Sequence, residues 1–211
     1  MLRDPHQQLP DGPVRGRLIY VAGPSGAGKD TLFHYARERM PQHVPVAFAH
    51  RYITRQTRSG QDDHVPLTRS EFVLRSRAGL FAMDWHANGY LYGIGVEINQ
   101  WLSQGFQVIV NGSRGYVPEA QRRYPDLHLV WVGASIGVLT ARLSQRGRET
   151  AAEIARRVER AIELEMPPHP PDLCLQNDNA PNEAGEQLLA FILGHSAINF
   201  AIPAALEMEL D

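Results

Sequence analysis

At 211 residues the chain is long enough to bury one substantial core, and a second independent domain is not expected at this length. Hydrophobic residues make up 43% and charged residues 21%, with a formal net charge of -2, so the totals demand neither a nucleic-acid nor a membrane partner. Arginine greatly outnumbers lysine and gathers in a few short stretches, which suits planar, bidentate recognition of phosphate better than general solubility.

Residues 1–16 are polar and contain prolines, without the apolar centre of a signal peptide, and are expected to be a flexible leader. No run of about 18 apolar residues follows anywhere, so a cytoplasmic protein is expected. Leu18-Ile19-Tyr20-Val21-Ala22 is a continuous apolar run, as a strand buried on both faces of a parallel sheet requires. It leads into Gly23-Pro24-Ser25-Gly26-Ala27-Gly28-Lys29-Asp30-Thr31. After this loop Leu32, Phe33, Tyr35, Ala36 and Met40 recur at helical spacing until Pro41 stops the pattern.

A glycine loop between a strand and a helix aims successive backbone N–H groups at one point, where the helix dipole also favours an anion. Lys29 adds a mobile charge for the outer phosphates, and the spacing Gly23-x4-Gly28-Lys29 meets the nucleotide-loop pattern in its proper setting. ATP is therefore expected on residues 23–31. The hydroxyl residue that usually follows the lysine and binds Mg²⁺ is replaced by Asp30. Asp30 either holds Mg²⁺, directly or through water, with Thr31 contacting a phosphate, or merely complements the helix dipole.

Residues 51–92 are less regular and rich in arginine, glycine and aromatic side chains, and read as a small inserted substrate region. Arg51, Arg55 and Arg58 place three guanidinium groups within eight residues, an arrangement suited to a phosphorylated acceptor. His50, His64 and His86 are candidates for contacts to a phosphate or to ligand hydroxyls beside an ordinary structural role. Trp85 and Tyr90 read as packing residues, and Asp84 and Asn88 as candidates for sugar hydroxyls. Helical stretches follow at 95–104, 136–146, 151–165 and 183–193, and buried strands at 107–110 and 127–132. Cys174, in the apolar Leu173-Cys174-Leu175, is the single cysteine; it excludes an internal disulfide and is expected to be a buried strand residue. Alternating strands and helices argue for a doubly wound α/β sheet with ligands outside the carboxyl ends of its strands.

The order Gly23-Pro24-Ser25-Gly26-Ala27-Gly28-Lys29, Thr54-Arg55-x2-Arg58, Tyr92-Gly93, Arg142-x3-Arg146-Gly147 and Arg157 resembles that of guanylate kinases over about residues 18–193. The resemblance implies a P-loop nucleoside-monophosphate-kinase-like fold over 17–194, with an acceptor region at about 51–95, a lid at about 142–157 and a tail at 195–211. It implies that Arg51, Arg55, Arg58 and Tyr92 bind the acceptor's phosphate. Arg142, Arg146 and Arg157 then come from the lid and its flanks, with Arg148 in the lid loop and Asn177 beside adenine. The acidic residues by which guanylate kinases read guanine are missing, with Met83 near the first such position and Asn111, Ser113 and Arg114 near the second. A pocket that loses acids and gains Arg114 suits a second phosphate better than a purine.

The segments Ala49-His50-Arg51-Tyr52-Ile53-Thr54-Arg55, Trp85-His86-Ala87-Asn88-Gly89, Tyr92-Gly93-Ile94-Gly95-Val96-Glu97-Ile98 and Val110-Asn111-Gly112-Ser113-Arg114, with Asp30, closely resemble the ribose 1,5-bisphosphate phosphokinases of phosphonate catabolism. That resemblance implies transfer of the ATP γ-phosphoryl group to the 1-phosphate of ribose 1,5-bisphosphate, giving 5-phosphoribosyl 1-diphosphate. Lys29, Arg146 and Arg157 are then the catalytic residues and Mg²⁺ accompanies ATP. The acceptor is already an anionic nucleophile, so no strong general base is required. A guanylate kinase with a divergent base pocket, a non-catalytic guanylate-kinase-like module and a kinase for another sugar phosphate are the competing readings.

Overall fold

The computed structural model describes residues 16–55, 64–145, 147, 150–163 and 170–194. The expected leader, apart from Gly16, and the expected tail at 195–211 lie outside these residues, as do Arg58, Arg146 and Arg148. The main sheet is five-stranded and wholly parallel. Its strands are β1 (Arg17–Ala22), β2 (Val46–Phe48), β7 (Gln107–Asn111), β8 (His128–Gly133) and β9 (Leu173–Gln176), in the spatial order β2-β7-β1-β8-β9.

The alternation of a strand explains why β1 is apolar throughout. Leu18, Tyr20 and Ala22 enter the cluster on one face, with Val108, Val110 and Leu129 from the neighbouring strands. Ile19 and Val21 enter the cluster on the other face, with Ile109, Val130 and Val132. There they meet Leu32, Phe33 and Ala36 of α1 (Lys29–Arg39) and Ala184, Leu188 and Ile192 of α7 (Pro181–Gly194). With five consecutive buried residues at roughly 1.5–3 kcal/mol for each large side chain, β1 is the central stabilising strand.

A second sheet forms from β3 (Arg51–Ile53), β4 (His64–Pro66), β5 (Phe81–Ala87) and β6 (Tyr90–Gly95), in the order β4-β3-β6-β5. Its β5–β6 hairpin turns through Asn88 and Gly89, both at positive φ (50° and 78°), the backbone of a two-residue primed turn. One face contributes Met83 and Ile94 to the core around Tyr20. The other carries Tyr52 and Phe81 against Leu67 and Phe72, the latter on α2 (Arg69–Arg77), whose first turn is capped by Thr68 accepting from the Glu71 N–H.

The remaining helices are α3 (Glu97–Ser103), α4 (Val117–Arg123), α5 (Ile136–Gln145) and α6 (Ala151–Glu163). Arg123 of α4 donates to the Ala82 carbonyl at 2.8 Å, tying the second sheet to the core. Cys174 corrects the expectation of burial. It is exposed, because β9 is an edge strand whose alternation turns Leu175 inward and Cys174 outward. No helix among the described residues is long and apolar enough to cross a membrane.

Candidate active site

The carboxyl ends of β1, β7, β8 and β9 converge on one crevice, where a doubly wound sheet offers its ligand site. From β1 the chain runs through Gly23–Gly28, with Ala27 N–H bonded to the Pro24 carbonyl at 3.2 Å, into α1. Gly28 caps that helix at φ 86°, and a Cβ there would strike Nδ2 of Asn177. Glycine is thus required twice over, by conformation and by space. Asn177, buried at the end of β9, donates that Nδ2 to the Ala27 carbonyl at 2.7 Å and its backbone N–H to Gly133 at 2.9 Å. It clamps the loop from behind. The ammonium of Lys29 lies back over the loop, donating to the carbonyls of Gly23 and Pro24 at 2.8 and 3.1 Å.

Asp30 stands at the centre of a charged junction. Its Oδ1 accepts from Nη2 of Arg51 at 2.8 Å and from Nδ2 of Asn111 at 2.6 Å. Arg51 opens β3 of the second sheet and Asn111 closes β7, so three elements meet on one carboxylate oxygen. The Asn111 Oδ1 is buried and has no hydrogen-bond partner among the described residues. A divalent cation fits this end of the sheet. Asp30 supplies a half-exposed carboxylate and Asn111 an unsatisfied oxygen, both hard donors. No three His, Cys, Asp or Glu side chains gather into a metal cage among the described residues.

In the second sheet Tyr92 stacks on Trp85, with ring centroids 5.6 Å apart and planes 3° from parallel. Tyr116, on a 3-10 turn over Arg114–Tyr116, packs against the same Trp85 at 5.5 Å. Trp85 is thus a packing residue, as the sequence suggests. Met83 is fully buried in the core and presents nothing to a ligand. Asp84 accepts from the Ser76 hydroxyl of α2 at 3.1 Å, and Asn88 makes the hairpin turn. His64 is buried with Nε2 3.2 Å from the Arg55 carbonyl, whereas His50 and His86 are exposed.

Beyond β7, Ser113 is fixed by the fully buried Tyr20. The phenol donates to the Ser113 carbonyl at 3.0 Å and accepts from its N–H at 2.9 Å. Burial drives this phenol well above its ordinary pKa, which keeps it neutral as donor and acceptor together. Arg114, half-buried, follows at the head of the turn.

From the other side of the loop, Arg157 of α6 donates to the Ser25 hydroxyl at 2.9 Å, and Arg142 of α5 donates to the Asn177 carbonyl at 2.8 Å. One of these arginines therefore touches the glycine loop and the other its rear clamp.

No protein-family model matches the chain. It is 49% identical to the ribose 1,5-bisphosphate phosphokinase PhnN of Thiobacillus denitrificans over 177 residues, 84% of this chain and 93% of that protein. The chain belongs to the ribose 1,5-bisphosphate phosphokinase family. A relative of the same name from Laribacter hongkongensis is 47% identical over 180 residues, 85% of this chain but only 43% of that longer protein. Among solved structures, the guanylate kinase of Anaplasma phagocytophilum superposes with a TM-score of 0.61 at 14% identity, covering 92% of this chain and 94% of that one. At that identity the likeness shows the fold alone, and the family assignment rests on the phosphokinase relatives.

Two side chains have contacts here that the sequence does not assign to them. Asn111 holds Asp30, whereas the sequence marks it only by its place in Val110-Asn111-Gly112-Ser113-Arg114, near a position where guanylate kinases read guanine, and at the carboxyl end of a buried strand. Tyr20 reads only as one more apolar strand residue, because the partner of its hydroxyl lies 93 positions away.

Proposed function

We propose that this chain transfers the γ-phosphoryl group of ATP to the 1-phosphate of ribose 1,5-bisphosphate, giving 5-phosphoribosyl 1-diphosphate, in the phosphonate catabolism of the cytoplasm. The observation that carries the reading is the junction at Asp30, where the phosphate loop meets an arginine of the second sheet. A donor phosphate on the loop and an acceptor phosphate near Arg51 are thereby brought to opposite sides of one residue. Guanine would need carboxylates where this chain has buried Met83 and Asn111.

ATP lies on residues 23–31, with its triphosphate against the backbone N–H groups of the loop and the start of α1. Lys29 leaves the carbonyls of Gly23 and Pro24 for the outer phosphates, and Arg157 and Arg142 close from the lid, with Arg146. Arg51, Arg55, Arg58, Tyr92 and Arg114 hold the acceptor. Its 1-phosphate oxygen is the nucleophile, so these residues need only align it and neutralise charge. Asp30 and Asn111 would hold Mg²⁺, which when bound would offset the negative charge of the phosphates.

The test is a coupled assay of ADP release with ribose 1,5-bisphosphate, ribose 5-phosphate and GMP offered in parallel. Turnover is expected with the bisphosphate. Turnover with GMP alone would establish a guanylate kinase instead, and none with any acceptor a binding module. The metal assignment carries its own expectation: Asp30→Ala raises the Mg²⁺ concentration for half-maximal turnover by about tenfold, the loss of one charged oxygen ligand. An unchanged Mg²⁺ dependence would leave Asp30 its place at the helix dipole and its contacts to Arg51 and Asn111, and no metal role.

A further inference from the structure

Arg51 is committed in two directions. It is an acceptor-side cation by its place in the second sheet, yet its guanidinium is bonded to the carboxylate of the phosphate loop, and its side chain is only 18% exposed. The oxygen it uses, Oδ1 of Asp30, also accepts from Asn111. A carboxylate oxygen has about two lone-pair sites. Two N–H donors therefore saturate Oδ1, and a cation ligated there must displace one of them. A dication on the other oxygen of the same carboxylate would still repel the guanidinium beside it. Asn111 is neutral and can stay. Arg51 carries the charge, and it is the partner that leaves.

We propose that Arg51 is shared between Asp30 and the acceptor, and that Asp30 gives it up when Mg²⁺–ATP binds, so that donor and acceptor tighten each other's binding. The proposal rests on the assignment of ATP and ribose 1,5-bisphosphate to the two sides of the site. Acceptor arriving first must break the Arg51–Asp30 pair to recruit the arginine. Acceptor arriving after Mg²⁺–ATP finds that pair already broken. The difference is the free energy of the pair, and linkage makes it reciprocal, so ATP binds more tightly by the same factor once acceptor is present.

The size follows from exposure. Asp30 is 57% exposed, which places the pair among partly solvated ion pairs rather than buried ones. The coupling therefore falls at the lower end of the range for linked ligands, about five- to tenfold. Asn111 sets the direction of the exchange, because its amide keeps the carboxylate aimed at the loop while Arg51 departs.

The experiment is calorimetric titration of ribose 1,5-bisphosphate into the full chain, with and without saturating Mg²⁺ and a non-hydrolysable ATP analogue. In the wild type the analogue is expected to tighten acceptor binding about five- to tenfold. In Asp30→Asn the acceptor alone binds more tightly than in the wild type, and the coupling factor falls below about two. In Arg51→Ala acceptor binding weakens and the factor also falls below about two. A wild-type factor near one, or either variant retaining the wild-type factor, would overturn the exchange.

A second measurement separates this idea from the substrate assignment. The side-chain Nε–Hε resonance of Arg51, identified by its loss in Arg51→Lys, is expected to shift on adding the Mg²⁺-loaded analogue and to stay in place with the analogue in EDTA. A stationary resonance sinks the exchange. A shifting resonance in a protein that binds no ribose 1,5-bisphosphate supports the exchange and overturns the substrate assignment alone.

Discussion

Lys29→Ala is expected to lower kcat by about a thousandfold while leaving the protein folded, because it removes the one mobile cation that the phosphate loop carries. A group aimed at charge that develops in transfer is worth about 3–4 kcal/mol in the transition state. The folded protein loses much less. The ammonium bonds to two loop carbonyls at the surface of the crevice, and such bonds contribute about 0.5–1.5 kcal/mol each at most. The midpoint of thermal unfolding should therefore fall by about 2–12 °C, without loss of the fold. Lys29 is the only lysine among the 211 residues, which permits a direct check. Pyridoxal phosphate followed by borohydride should modify a single internal peptide, and Mg²⁺–ATP should protect it while ribose 1,5-bisphosphate alone does not. A variant within tenfold of wild-type kcat, or labelling indifferent to ATP, would move the donor site away from this loop.

How much of this was legible beforehand differs between the two sheets for a physical reason. Strands β1, β7 and β8 are buried on both faces, so each is an unbroken apolar run that stands out from its surroundings. The second sheet gives no such signal. Strands β3 and β4 have three residues each, too few for a period of two to register, and α2 buries only Phe72. Region 51–92 accordingly reads as irregular, although it contains four strands and a helix. Cys174 misleads in another way. An apolar triplet suggests burial on both sides, and only the strand order reveals that β9 lies at an edge.

The site shows the same division. The glycine loop is contiguous and its meaning is local. Asp30 is different, since its partners Arg51 and Asn111 lie 21 and 81 residues further on, and no local pattern distinguishes a metal carboxylate from one that holds an arginine. Asp84 and Asn88 look like site residues because they are polar in an aromatic stretch. Their residue types also serve a helix contact and a hairpin turn, which no local pattern reveals.

Gly112→Ala is expected to cost heavily in stability, and its effect should reach the proposed acceptor side of the site. A Cβ at position 112 would overlap the ring of Tyr20. That ring has nowhere to go: it is fully buried in the core cluster, and its hydroxyl is bonded to both the N–H and the carbonyl of Ser113. Residue 112 cannot retreat either, because its own N–H is bonded to the Val21 carbonyl of β1 at 2.9 Å. Overpacking of this kind costs about 3 kcal/mol, which for a domain of this size lowers the thermal midpoint by about 6–12 °C. Tyr20→Phe gives no relief, since the clash involves ring carbons as well as the oxygen. Tyr20→Leu clears the space, so the double variant Tyr20→Leu/Gly112→Ala should be more stable than the sum of the single losses by at least about 1 kcal/mol in urea denaturation. Simple additivity would mean that the ring is not what Gly112 accommodates. Because Ser113 and Arg114 follow directly, the strained Gly112→Ala protein should also bind ribose 1,5-bisphosphate less tightly while its affinity for ATP, held by the loop after β1, changes less than about twofold.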